Sequence, residues 1–231
     1  MDHDFHQHLR ELEAEHGRQE LERQVKPGEQ RLQMVGLTLD DLAKQKAVLD
    51  LGAEDGYIAR AAHVKGLSTR VISIDIEPPP KQLVEAGLPF YQFDLTKERE
   101  WPPKEALGSP TLAITKQGPL FTSRDEVAAK GFLDSVFRRL AQNGQIRIYP
   151  TRFGFIQDRL FGDDAKYSTL KSKPLAELLQ DPQNNEFNLK ANEATKAWLG
   201  ANKFKFSVGR IENFEGPSAN GEFLILEQNA D

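Results

Sequence analysis

Cysteine is absent from the 231 residues, which excludes disulfides, a thiol nucleophile and thiolate-bound metal. No apolar run approaches the roughly 18 residues that a membrane-spanning helix needs. The opening MDHDFHQHLRELEAEHG is too polar for a secretory signal. A cytoplasmic protein with no membrane partner is therefore expected. An excess of positive charge is also missing: the net charge is −5 and the pI about 5.6, against a broad basic face for nucleic acid. No phosphate loop of the form G-x-x-x-x-G-K-[ST] occurs. Four of the five histidines, His3, His6, His8 and His16, sit in the charged first segment. They read as a solvated arm, and no metal site is expected.

What is present is an ordinary globular composition, 39% hydrophobic and 28% charged, in a chain long enough for one well-buried core. Residues 1–46 read as a helical N-terminal arm, with Gly17 and Lys26-Pro27-Gly28 interrupting it to give two short helices or a partly frayed arm. Thr38 followed by Asp41 marks a further helix start. From residue 47 to 231 the pattern alternates strand and helix, as parallel βαβ units do. Strands are expected at Val48–Leu51, Val71–Ile76, Phe90–Asp94, Leu112–Thr115 and Gln145–Tyr149. Val127, Phe132, Val136, Phe137 and Leu140 fall near helical spacing, with Asn143-Gly144 as a stop. The stretch of about 152–203 exceeds a simple connection and reads as a cap-like insertion, with helical pieces at Pro174–Leu179 and Glu193–Leu199. Phe204–Ile211 and Glu222–Glu227 read as a terminal hairpin.

The most informative stretch is Ala47–Gly56, AVLDLGAEDG. A buried apolar strand runs into a glycine-bounded turn that opens a helix, which is where nucleotide-like cofactors sit in doubly wound sheets. Gly52 and Gly56 allow close backbone approach. The turn lacks the second and third glycines of a dinucleotide fingerprint, since Glu54 and Tyr57 hold those places. Asp75 ends the second strand, where a carboxylate accepts from both ribose hydroxyls. Asp94 ends the third. Each acid has a structural alternative, as a cap for the turn that follows it.

These phrases together, VLDLGAEDG, Val71-Ile72-Ser73-Ile74-Asp75, Phe90-Tyr91-Gln92-Phe93-Asp94 and FLDSVFRRLAQNGQIRIYP, resemble the class I S-adenosylmethionine-dependent methyltransferases from about Ala47 to the end. The resemblance implies a Rossmann-like, doubly wound α/β fold with a mostly parallel seven-stranded sheet and a C-terminal antiparallel hairpin. It implies S-adenosylmethionine as cofactor, bound by Asp50, Gly52, Ala53, Glu54, Gly56, Asp75, Ile76, Asp94, Leu95 and Thr115. Asp50 would hold the methionine amino group, directly or through water, and Asp94 the adenine amine. Glu54 departs from the family's middle glycine. The fourth strand ends in Ile114-Thr115-Lys116-Gln117-Gly118-Pro119, without the Asp/Asn-Pro-Pro-Tyr phrase of base amino-methylation, which counts against a nucleic-acid acceptor. Lys116 is the one candidate for acceptor orientation or catalysis, with a solvated loop lysine as its alternative. Tyr149, Arg152, Phe153 and Phe155 are candidates to line the acceptor pocket. The competing expectation is a methyltransferase-like binding or scaffold protein without catalysis.

Overall fold

The computed structural model describes residues 19–20, 22–116, 118–171, 181–211 and 221–228. Seven strands form one sheet: β1 (Ala47–Leu51), β2 (Arg70–Asp75), β3 (Phe90–Gln92), β4 (Leu112–Lys116), β5 (Gln145–Tyr149), β6 (Lys205–Arg210) and β7 (Glu222–Glu227). Their spatial order is β3-β2-β1-β4-β5-β7-β6. Strands β1 to β5 pair in parallel, while β7 runs antiparallel to both β5 and β6. The order reverses between β1 and β4, and at such a switch point two crossovers leave in opposite directions and open a crevice at the carboxyl ends of the strands.

All five residues of β1 are buried, as a central parallel strand covered on both faces requires. Alternation divides the side chains between two cores. Leu49, Leu51, Ile72, Ile74, Ile146 and Ile148 face one core, and Val48, Val71, Leu112 and Ile114 the other. Burial of each such side chain contributes about 1.5–3 kcal/mol. The first core is covered by α6 (Glu126–Arg139), α7 (Gly154–Phe161) and α9 (Pro182–Ala201), through Phe132, Val136, Phe155 and Trp198. The second is covered by helix α1 through residues 22–33, α2 (Leu39–Ala43), α3 (Tyr57–Val64) and α4 (Lys81–Glu85). Helix α5 (Pro119–Thr122) adds Leu120 to the first core, and α8 (Ala165–Lys171) packs Tyr167 against Phe161 and Phe187 in a small separate cluster.

Several local expectations are corrected. Helix α1 runs through Pro27-Gly28 without a break. Its buried stripe of Val25, Arg31 and Leu32, with Val35 in the turn that follows, seats it against the domain, and this tertiary packing outweighs the proline. Gly28 is the point of closest approach, since a Cβ there would lie 2.5 Å from Ala61 Cβ and from the Tyr57 carbonyl oxygen. Val127, assigned to an apolar face, is 78% exposed in the first turn of α6. That helix ends at Arg139, before Asn143-Gly144. Phe153 and Phe155 are not pocket residues; they pack against Trp198 with ring centroids 5.7 and 5.2 Å away. In the described part of 152–203, α7 and α9 thus pack on the first core. The expected helix at Pro174–Leu179 lies outside the described residues, and the one at Glu193–Leu199 is the later part of the 20-residue α9.

Candidate functional site

The turn after β1 is held to the next strand by its backbone. The Gly52 and Ala53 N–H groups both donate to the Ile74 carbonyl, at 2.8 and 3.1 Å. Gly52, Glu54 and Gly56 all have positive φ, at 71°, 53° and 63°. Glycine adopts this region freely, whereas a residue with a Cβ is strained there by about 1–2 kcal/mol. Glu54 therefore occupies a left-handed position that the chain keeps despite its cost. At Gly56 the space is also closed, because a Cβ would fall 2.4 Å from Leu83 Cδ1.

Beside this turn, at the carboxyl edge of β1, β2 and β4, lies a cleft of ≈ 250 Å³. Gly52 and Glu54 line one part, Asp75, Ile76, Asp94 and Leu95 another, and Lys116 with Pro119 and Thr122 the last. Asp75 is 9% exposed, and its two oxygens accept from the Glu54 N–H at 2.8 Å and the Glu77 N–H at 3.1 Å. Its neighbour Ile76 is 61% exposed, an apolar side chain left bare at the cleft. Asp94 accepts from the Thr96 N–H at 2.9 Å and hydroxyl at 2.7 Å, and these bonds hold its carboxyl below the usual range. It thus caps the turn and faces the cleft at once. Trp101 anchors that loop, its indole N–H donating to the Leu95 carbonyl at 3.1 Å.

Beneath the turn is an ion pair that reading along the sequence missed. Arg31 of α1 is 2% exposed, and Asp50 is fully buried. The Arg31 guanidinium donates from Nε to Asp50 Oδ1 at 3.2 Å and from Nη2 to the Gly52 carbonyl. Its Nη1 lies 3.4 Å from Glu54 Oε2, an ion-pair distance without hydrogen-bond alignment. Burial pushes the Asp50 carboxyl up, and Arg31 opposes that rise. The available signal was periodicity: Arg31 shares the buried face with Val25, Gly28, Leu32 and Val35, an unusual place for a cation unless a buried acid awaits it.

Of the residues singled out from sequence, Gly52, Glu54, Asp75, Ile76, Asp94, Leu95 and Lys116 come together around the cleft. Asp50, Ala53, Gly56 and Thr115 do not line it. Asp50 faces α1 and pairs with Arg31 through Oδ1, while its buried Oδ2 lacks a hydrogen-bond partner. Thr115 is buried, with its hydroxyl lacking a hydrogen-bond partner. Among the described residues no cluster of three or more potential ligands could hold a metal.

The strand order, the parallel core with its antiparallel β7, and the crevice at the switch point define the fold of class I methyltransferases. No protein-family model and no curated protein matches the chain. Solved structures do. The N-methyltransferase NodS from Bradyrhizobium japonicum WM9, solved with S-adenosyl-L-homocysteine, aligns over 90% of this chain and 95% of its own, at 14% identity and a TM-score of 0.50. An O-methyltransferase family protein from Burkholderia thailandensis aligns over 85% of this chain at 12% identity and a TM-score of 0.50. The alignment spans 54% of that protein's length. At such identities the likeness establishes the fold.

Proposed function

We propose that this protein binds S-adenosylmethionine in the cleft and transfers its methyl group to an acceptor. The observation that carries this is Asp75, a fixed carboxylate at the carboxyl end of β2 beside the bare side chain of Ile76. Each of its oxygens accepts one backbone N–H and keeps a lone pair, so both ribose hydroxyls can donate to it. Ile76 and Leu95 then offer apolar contact to a purine, and Asp94 accepts from its amine. The turn at Gly52 leaves the cofactor's tail near Glu54, and the bound sulfonium would supply an electrophilic methyl group. The chain's own task is orientation, which alone can account for much of the acceleration of a displacement. Lys116 lines the cleft at the carboxyl end of β4, which supports a role in orienting the acceptor.

Glu54 favours a second reading, a methyltransferase-like binding or scaffold protein. Its carboxylate stands where a cofactor carboxylate would come, unless Glu54 swings off Arg31 and the cofactor takes over that cation. Equilibrium binding of labelled S-adenosylmethionine, competed by S-adenosylhomocysteine and by NAD, tests the main reading. Saturable binding displaced by S-adenosylhomocysteine but not NAD is expected, and its absence from folded protein would favour the scaffold. Glu54→Gly separates the cases further: a large gain in affinity marks a blocked site, whereas little change shows that the glutamate moves aside.

A further inference from the structure

Three carboxylates, Glu54, Asp75 and Asp94, line the cleft against one lysine, Lys116. Backbone N–H groups engage Asp75 and Asp94, whereas Glu54 meets a cation from beneath the turn, Arg31 of α1. The guanidinium has one fixed acid partner and one loose one. Asp50, fully buried, accepts from Nε at 3.2 Å and lies 3.1 Å from Nη2, which also donates to the Gly52 carbonyl. Nη1 is buried and makes no hydrogen bond, and Glu54 Oε2 stands 3.4 Å from it. Among the described residues, Asp50 and Glu54 are the acids at ion-pair distance from Arg31. Glu54 is about half exposed, and its φ of 53° is one that glycine would hold without strain. A strained residue beside a cleft points to a use for its side chain.

A buried guanidinium is costly without an anion on it, whereas an ion pair with a half-exposed partner is weak. Glu54 thus neutralises Arg31 yet is free to leave. We infer that Glu54 is an exchangeable anion: it holds Arg31 Nη1 until the amino-acid carboxylate of a bound S-adenosyl ligand displaces it there. The inference rests on the proposed cofactor. A carboxylate entering among Glu54, Asp75 and Asp94 is repelled unless a cation receives it. Arg31 grips the Gly52 carbonyl, in the turn beside which the tail is proposed to lie, whereas Lys116 lines another part of the cleft with Pro119 and Thr122. Covered by Glu54, Arg31 does not itself line the cleft; once Glu54 swings to solvent, it does. A nucleoside without the carboxylate gains nothing from Arg31 and leaves Glu54 in place.

Calorimetric titration compares S-adenosylhomocysteine with 5′-methylthioadenosine, which carries the same nucleoside thioether without the amino-acid tail, on wild type and on Glu54→Gln. Wild type should bind both. Glu54→Gln, which removes the charge and keeps the length, should tighten S-adenosylhomocysteine by about three- to tenfold and 5′-methylthioadenosine by less than about twofold. In wild type the Arg31 guanidinium resonances, followed by NMR, should move further with S-adenosylhomocysteine than with 5′-methylthioadenosine. Should Glu54→Gln fail to fold, these resonances carry the test. An equal gain for both ligands overturns the inference, as does an S-adenosylhomocysteine affinity that Glu54→Gln leaves unchanged. Wild type that binds 5′-methylthioadenosine, but S-adenosylhomocysteine only after Glu54→Gln, is blocked and not exchanging, and this too overturns it. A tail-dependent affinity abolished by Lys116→Met would assign the carboxylate to that lysine instead. In each of these cases the cleft still binds a nucleoside. Folded protein that binds neither ligand sinks the cofactor proposal and the exchange with it.

Discussion

Replacing Arg31 by methionine removes the guanidinium that faces the fully buried Asp50 carboxylate, while an unbranched apolar side chain still fills much of the space. Breaking a buried pair from one side costs about 3–5 kcal/mol, because the remaining charge is left uncompensated. The loss is set chiefly by Asp50, since Glu54 is about half exposed and is resolvated by water. Asp50 also gives the loss a pH signature. Burial already raises its carboxyl above the ordinary value, and without Arg31 nothing opposes that rise. The folded variant then binds a proton more tightly than the unfolded chain does. Its stability therefore falls as pH rises through the elevated folded value and recovers toward the unfolded value of about 3.9. Urea unfolding followed through the buried Trp101 and Trp198 should show a larger penalty, relative to wild type, at pH 8 than at pH 5. Adding Asp50→Leu to Arg31→Met should restore much of the loss, since an apolar replacement of both partners is often close to neutral. A penalty below about 1 kcal/mol at pH 8, typical of an exposed pair, or one independent of pH, would refute the reasoning.

Gly28→Val should cost about 1–3 kcal/mol in thermal unfolding, because α1 must back away from Ala61 and the Tyr57 carbonyl. Since α1 carries Arg31, the same variant should loosen the turn, read as faster hydrogen exchange at the Gly52 and Ala53 amides. Asp41 completes a capping box with Thr38, and bonds from Lys44 and Thr38 hold its carboxyl down to about 2. That contribution is present above the unfolded value and is lost as pH falls through about 2. Asp41→Asn should accordingly destabilise at pH 7, with the difference from wild type shrinking below pH 4 in acid titrations.

The strands were legible because each is a short apolar run closed by a turn signal, and Gln145–Tyr149 in the parallel part and Glu222–Glu227 in the antiparallel hairpin match the observed strands residue for residue. The placement of Asp75 at the end of β2 was legible as well; Asp94 was expected to end the third strand, but β3 stops at Gln92 and Asp94 reaches the cleft from the turn that follows. Less legible was anything that depends on two distant elements meeting. Pro27-Gly28 carries a local break signal, yet the stripe that overrides it acts only once α1 lies on α3. The place of Asp50 near a strand end was legible, but not the side of the sheet its carboxylate faces, nor its pairing with Arg31. Phe153 and Phe155 stood beside the expected pocket in sequence, and Trp198, more than forty residues on, draws them into the core instead. Glu54 was visible as a departure from glycine; its positive φ and its approach to Arg31 were not.

The most direct test of the account is calorimetric titration of S-adenosylhomocysteine into wild-type protein and Asp75→Ala, with NAD as control and circular dichroism to establish folding. The account predicts saturable binding to wild type, no response to NAD, and a loss of at least about tenfold in affinity on Asp75→Ala, the equivalent of about 1.4 kcal/mol. Folded wild-type protein that binds no S-adenosylhomocysteine, or an Asp75→Ala variant that binds it as well as wild type, would contradict the assignment of the cleft.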